Sequence, residues 1–480
     1  MGGAVMGAHR GQRPLLLRCR ALLAHARAVQ VEDAGVLVEG GTVVRVAPFA
    51  DLAGEVPADR TVTLDGTVLP AFTDAHSHLR ALPLAEQGVA DACLEIWVVR
   101  LTGTTALDPH NDALVAAADL AATGVTTVQA IHHTFAPPDE YAAGVGAVVS
   151  ALEKAGLRAE LALGLTDRSE FLPERAHAAW RGAERLAAPG RGVAPADFPG
   201  LFAAADLRGT RRVRLGVAPV APQWCSDAAL AALRRCAAGG LRVHTHLLES
   251  RHQRDWSAEG DPTGMLDRCG LLGSNLSAAH GVWLTGAEIG LLARRGTALV
   301  HCATSNRRLG SGDAPVRAWL DAGVNVALGL DSQHESAPDM FAEMRAALAT
   351  AERAGGPLTP REVLALATEG GAAATGHGAR LGRIAPGYRA DLIAVASGHG
   401  RGDVVDRIVY DTARTDVADV FSGGRRLVES GVARCHAEAD AARARLRATL
   451  AADRAARAAR LTALAAHEEP LRGLLAGVEA

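Results

Sequence analysis

The chain has 480 residues, 49% of them hydrophobic and 21% charged, and a net charge of -3. That balance excludes a broad basic face for nucleic acid, and no apolar run reaches the ~20 residues needed to cross a bilayer. Seven scattered cysteines with no Cys-x-x-Cys pair exclude a disulfide framework or zinc knuckle and set the expectation of a cytoplasmic protein.

Residues 1 to about 12 are Gly-rich and expected to be unordered. Pro14-Leu15-Leu16-Leu17 is broken by Arg18 and Arg20, so it makes a poor signal-peptide core. Short β-like runs follow: Leu15 to Leu22, Ala34 to Val38, Thr42 to Val46 and Thr61 to Leu64, with turn signals at Glu39-Gly40-Gly41 and Asp65-Gly66. Ala390 to Val395 and Val417 to Phe421 have the same character, so both ends of the chain are expected to build one small β-sandwich. Between them lie eight short apolar strands: Thr67–Ala75, Val125–Ile131, Arg158–Leu165, Arg212–Val220, Leu241–His246, Leu276–His280, Ala298–Cys302 and Asn325–Leu330. Most are followed by Ala- and Leu-rich helical stretches. Alternating units of this number predict an α/β fold, a (β/α)8 TIM-like barrel. The expected organisation is 13–69 and 381–436 for the β-sandwich, 70–380 for the barrel and 437–480 for a helical tail. In the tail, Leu446, Leu450, Ala458, Leu461 and Leu464 would pack on the surface or against a partner subunit of a homo-oligomer.

Chemistry concentrates where those strands end. Asp74-Ala75-His76-Ser77-His78 closes the first one and leaves two imidazoles at i and i+2, on one face and about 7 Å apart on an ideal strand. His244 and His246 lie at the end of the fifth strand with Glu249 just beyond, His280 ends the sixth and Asp331 follows the eighth. Imidazoles and a carboxylate gathered at one mouth are the donors of a catalytic metal site that keeps a position open for water.

These pieces resemble the amidohydrolase superfamily, in its branch of mononuclear-metal deaminases and chlorohydrolases acting on nitrogen heterocycles. The resemblance runs from about Val36 to Val428. It is carried by Leu69 to His78, His244-Thr245-His246-Leu247-Leu248-Glu249-Ser250, Ala278-Ala279-His280-Gly281, Ser305 to Gly312 with Ala314-Pro315, Ala327 to Ser332, and Gly382 to Leu392. It implies His76, His78, His246 and Asp331 as ligands of one Zn2+ per chain, with Fe2+ or Mn2+ also compatible with the donor set. His246 is preferred to His244 because it stands three residues before Glu249, which leaves His244 as a buried supporting or packing residue. Binuclear members bridge two metals with a carboxylated lysine on the fourth strand. That strand has no lysine here, and the chain's one lysine is Lys154.

The same resemblance implies a catalytic set of Glu249, His280 and Asp331 acting on a small heterocyclic substrate, with no nucleic acid or membrane partner. Asp331 would take a proton from the metal's water, Glu249 would protonate a ring nitrogen, and His280 would stabilise the developing oxyanion. Ammonia would leave from a purine, pterin, pyrimidine or triazine. Chloride release and cyclic-amide opening on the same site are the alternatives, and a catalytically retired ligand-binding barrel is the non-enzymatic one. Two departures weaken an S-adenosylhomocysteine or methylthioadenosine substrate. Val220 stands where adenosine-type deaminases carry a histidine, and Arg100-Leu101-Thr102-Gly103-Thr104 lacks their Pro-x-Glu ribose contact. Arg80, His133, Arg168, Gln223 and Gln333 are candidate substrate contacts by position on the barrel rim, where polar loop residues are common.

Overall fold

The first strands follow from alternation and glycine turns. β1 (Leu15–Leu22), β2 (Val31–Glu39) and β3 (Thr42–Pro48) are joined in part by Gly40 and Gly41, whose φ values of 54° and 77° make a two-residue hairpin turn that glycine adopts without penalty. In this computed structural model the described residues are 13–133, 137–168, 172–173, 176, 193–203, 209–256, 261–332, 337–396 and 402–476. The Gly-rich start and Gln333 lie outside them.

β4 (Thr61–Pro70) pairs parallel with β1 and antiparallel with β13 (Leu392–Val395). β14 (Val417–Ser422), β15 (Arg425–Glu429) and β16 (Val432–Ala433) complete an eight-stranded sheet of order β16-β15-β14-β13-β4-β1-β2-β3. Leu17, Val36, Leu64, Leu392 and Phe421 form its own buried core. The two termini therefore share one small β domain.

The second sheet runs in chain order: β5 (Phe72–Ser77), β6 (Val125–His132), β7 (Arg158–Leu165), β8 (Val213–Pro219), β9 (Val243–Leu247), β10 (Leu276–His280), β11 (Ala298–His301) and β12 (Val326–Leu328). Every neighbouring pair is parallel, and a parallel bridge from Ser77 to Asp331 brings the last strand back to the first. This is the (β/α)8 barrel. Small residues such as Ala75, Ala279, Val300 and Ala327 fill its interior, and helices such as Pro109–Ala122, N-capped by Asp108, cover its outside. No helix among the described residues is long and apolar enough to cross a membrane.

One boundary differs from the sequence reading. The run Thr67–Ala75 is not one strand, because the chain changes sheets in its middle. Pro70 has no N–H to continue a ladder. Ala71 N–H then bonds Asp391 O at 3.2 Å, and Phe72 N–H bonds Gly124 O at 3.0 Å. Ending the chain near residue 380 would remove β13 and strip the β4 edge of its partner. Such a fragment is expected to be insoluble on expression. A soluble, monodisperse fragment on gel filtration would show that the termini do not depend on each other.

The tail forms two helices, His436–Ala452 and Arg454–Ala476. Leu446, Leu450 and Leu464 are buried, Leu461 is half-buried and Ala458 is exposed. The first helix lies along Pro109–Ala122, with Arg443 paired to Asp119 at 2.8 Å. The second lies on the short helix Leu94–Leu101 at the barrel mouth. Lys154 spends its charge on Glu438 at the surface, 2.8 Å away.

Candidate active site

The C-terminal ends of β5, β9, β10 and β12 converge on one buried point. His76 lies on β5 and His78 just beyond it, His246 is on β9, His280 ends β10, and Asp331 follows β12. Backbone strain marks the place. Among the described residues six non-glycine positions have positive φ, and four of them, Leu79 (50°), Leu248 (48°), His280 (74°) and Asp331 (59°), sit at these strand ends. Each such conformation costs ~1–3 kcal/mol, and the surrounding packing must hold it. At His280 and Asp331 the turn directs the side chain itself.

His78 Nε2 lies 3.2 Å from His246 Nε2 and 3.3 Å from Asp331 Oδ1, while His76 Nε2 lies 3.4 Å from the same oxygen. Potential ligand atoms of His76, His246 and His280, of His76, His78 and Asp331, and of Glu249, His280 and Asp331 fall within 4.8 Å of one another in each set. The residues singled out by spacing are thus brought together.

The hydrogen bonds around the rings test whether a cation fits. His246 Nδ1–H donates to Val220 O at 2.6 Å, which leaves Nε2 as a lone pair facing inward. His76 Nδ1 shares a hydrogen bond with His244 Nε2 at 2.8 Å, and His244 Nδ1 shares one with Ser277 Oγ at 2.7 Å. His280 Nδ1–H donates to Asn306 Oδ1 at 2.9 Å. The buried Nε2 atoms of His76 and His280 then have no hydrogen-bond partner. Burial, with help from neighbouring imidazoles, holds His246 and His244 well below the usual histidine range, so both are neutral. Buried, inward ring nitrogens beside a carboxylate make a donor set that a divalent cation satisfies.

Asp331 and Glu249 are pushed apart. Burial raises the Asp331 carboxyl, but the His76 and His78 imidazoles beside it outweigh that and hold the group well below the usual carboxylate range. Ser305 Oγ donates to its Oδ2 at 2.6 Å. Glu249 has no such partners. Burial first, then the charges of Asp331 and Glu95, raise it well above the usual range. Its Oε2 lies 3.5 Å from His280 Nε2. Two carboxyls in a single pocket pushed in opposite directions are the kind of pair that acid–base chemistry uses.

Of the rim candidates, Arg80 lines a cavity of about 100 Å³ behind Asp331, together with Ser305, Ser332 and Glu343. His133 is half-buried beside Arg80 and His78, and burial lowers its imidazole to about 3. Arg168 reaches Gln223 O at 3.5 Å, so these two residues meet each other. Sequence reasoning gave no role to Ser305, Asn306, Asp74 or Glu95. Asp74 Oδ1 accepts from Leu330 N–H at 2.9 Å and so ties β5 to the loop that carries Asp331. Its place two residues before His76 was the one available signal.

Comparison with known proteins places this geometry in context. A profile described as the amidohydrolase family matches residues 67–427. A 5-methylthioadenosine/S-adenosylhomocysteine deaminase of Moorella thermoacetica is 30% identical over 415 residues, covering 80% of this chain and 87% of its own. An 8-oxoguanine deaminase of Pseudomonas aeruginosa is 32% identical over 383 residues, covering 75% and 80%. Among solved structures, an adenosine deaminase from Xanthomonas campestris with bound zinc superposes with a TM-score of 0.76 at 27% identity, covering 90% of this chain and 98% of its own.

Proposed function

This chain belongs to the amidohydrolase family, and from that premise we propose that it is an aminohydrolase releasing ammonia from an aminated nitrogen heterocycle. The observation that carries the reading is the meeting of His76, His78, His246 and His280 ring nitrogens with the carboxylates of Asp331 and Glu249 at one barrel mouth. We assign His76, His78, His246 and Asp331 to one divalent ion, zinc first, because imidazole nitrogens and a carboxylate suit it. When bound, such an ion lowers the pKa of a water toward ~7 and so supplies the nucleophile.

The chain's own residues handle the protons. Asp331 accepts one proton from the water, with Ser305 Oγ–H steadying its Oδ2. As the water's oxygen bonds to the ring carbon bearing the amino group, Glu249 gives its proton to the neighbouring ring nitrogen. With Nδ1–H committed to Asn306, His280 Nε2 accepts a hydrogen bond from the attacking water. This refines the expectation of an oxyanion donor, a role that needs His280 to be protonated first. The carbon–nitrogen bond then breaks, Asp331 returns its proton to the departing amine, and the water's second proton restores Glu249. Ammonia leaves and a ring carbonyl remains.

Val220 is buried, its side chain is aliphatic, and its carbonyl is held by His246. With no histidine there, free bases and pterins rank ahead of 5′-substituted nucleosides as substrates. A coupled ammonia assay on zinc-loaded protein across aminated purines, pterins, pyrimidines and triazines tests the reading. At least one compound should reach a kcat/KM on the order of 10⁴ M⁻¹s⁻¹. Chloride release or ring opening with no ammonia from any compound would overturn it.

A further inference from the structure

Glu249 sits on a loop, not on a strand, since β9 ends at Leu247. Three contacts hold that loop. Glu249 N–H donates to Gln253 Oε1 at 2.8 Å, Gln253 N–H donates to Ser250 Oγ at 3.3 Å, and Ser250 Oγ–H donates to the Glu95 carboxylate. Glu95 is itself buried and belongs to the helix Leu94–Leu101, which lies far from β9 in sequence.

That helix is short, and helices of this length depend on tertiary contacts for their stability. Its outer end is gripped by the tail. Arg100 donates to both oxygens of Glu468, Nε to Oε1 at 2.8 Å and Nη2 to Oε2 at 2.7 Å, in the two-pronged geometry that is strongest for guanidinium and carboxylate. Both side chains are mostly buried. Leu464, Leu471 and Leu475 of the tail share one buried apolar cluster with Ile96 and Val99 of the helix and with Val220, whose carbonyl fixes His246. The family match ends at residue 427, before any of these tail residues.

We propose that the C-terminal helix is a working part of the active-site wall: Glu468 fixes Arg100, the helix carries Glu95, and Glu95 fixes Ser250 and with it Glu249. Glu468 and Glu95 are positioning residues, and their importance for turnover rests on the reading of Glu249 as proton carrier. Their mechanical coupling does not. The arrangement makes the site depend on a segment more than 200 positions further along the chain than the loop it steadies.

Hydrogen–deuterium exchange on the full-length, zinc-loaded protein separates the two claims. Glu468→Ala should speed exchange about threefold or more both in residues 94–101 and in residues 247–256, while β6 and β7 keep their wild-type rates. Glu95→Ala should speed 247–256 as well, and Glu95→Gln, which keeps an acceptor for Ser250, should restore it. On whichever compound releases ammonia, Glu468→Ala should lower kcat about tenfold with KM and metal content unchanged. Acceleration of 94–101 alone, with 247–256 at its wild-type rate, overturns the coupling whether or not a substrate has been found. Acceleration of both segments with kcat unchanged overturns the catalytic claim.

Discussion

Replacing Glu249 by glutamine is expected to reduce turnover by ~10²-fold or more, the scale typical for loss of a general acid–base group. In free energy this is about 2.7 kcal/mol or more of lost transition-state stabilisation. Glutamine keeps the shape and the hydrogen-bonding atoms of the side chain but cannot pass a proton. Metal content should stay at its wild-type value, because Glu249 is not among the assigned ligands. Atomic absorption beside steady-state kinetics checks both halves. Loss of metal in Glu249→Gln would make the residue a ligand, and retained turnover would remove it from the mechanism.

His246→Ala is expected to lose most of its bound metal together with all but ~1% of turnover, because it deletes a ligand whose Nε2 lies 3.2 Å from that of His78. His78→Ala should behave alike. His244→Ala is a different experiment. His244 is hydrogen-bonded to His76 Nδ1 and to Ser277 Oγ, so removing it unsettles the ring orientation of a ligand without deleting one. Partners of this kind typically tune metal affinity by ~10–100-fold. Titration with zinc should therefore restore activity to His244→Ala and leave His246→Ala inactive. The wild type should hold close to one equivalent per chain. The reverse pattern, with His246→Ala rescued and His244→Ala dead, would shift the register and take the assignment of Glu249 with it.

The barrel and the gathering of His76, His78, His246, His280 and Asp331 at one mouth were legible because strand ends carry a local signal. An apolar run stops, and a polar side chain with metal-binding chemistry follows. What was illegible depends on partners distant in sequence. Nothing in Thr67–Ala75 shows that Ala71 bonds Asp391 while Phe72 bonds Gly124, so one apolar run read as one strand. Ser305 and Asn306 could be quoted as a motif, yet their hold on Asp331 and His280 exists only after residues 303–308 wind into a helix. The tail has a helical stripe in Leu446, Leu450 and Leu464, but periodicity says which face is buried and not against what. The positive φ values at His280 and Asp331 stand at the ends of barrel strands and leave no trace in composition.

The sheet change at Pro70–Ala71 also sets an order of events during synthesis. β4 leaves the ribosome early, paired with β1 on one side, while its other edge waits for Leu392–Val395. At translation rates of about 5–20 residues per second that wait lasts roughly 15–65 s. Throughout it the apolar Val68–Leu69 edge is unpaired beside a nascent barrel strand, an open template for any neighbouring chain. Yield in a host cell should therefore respond to translation speed and to chaperone supply near β13 more than to the stability of the finished fold.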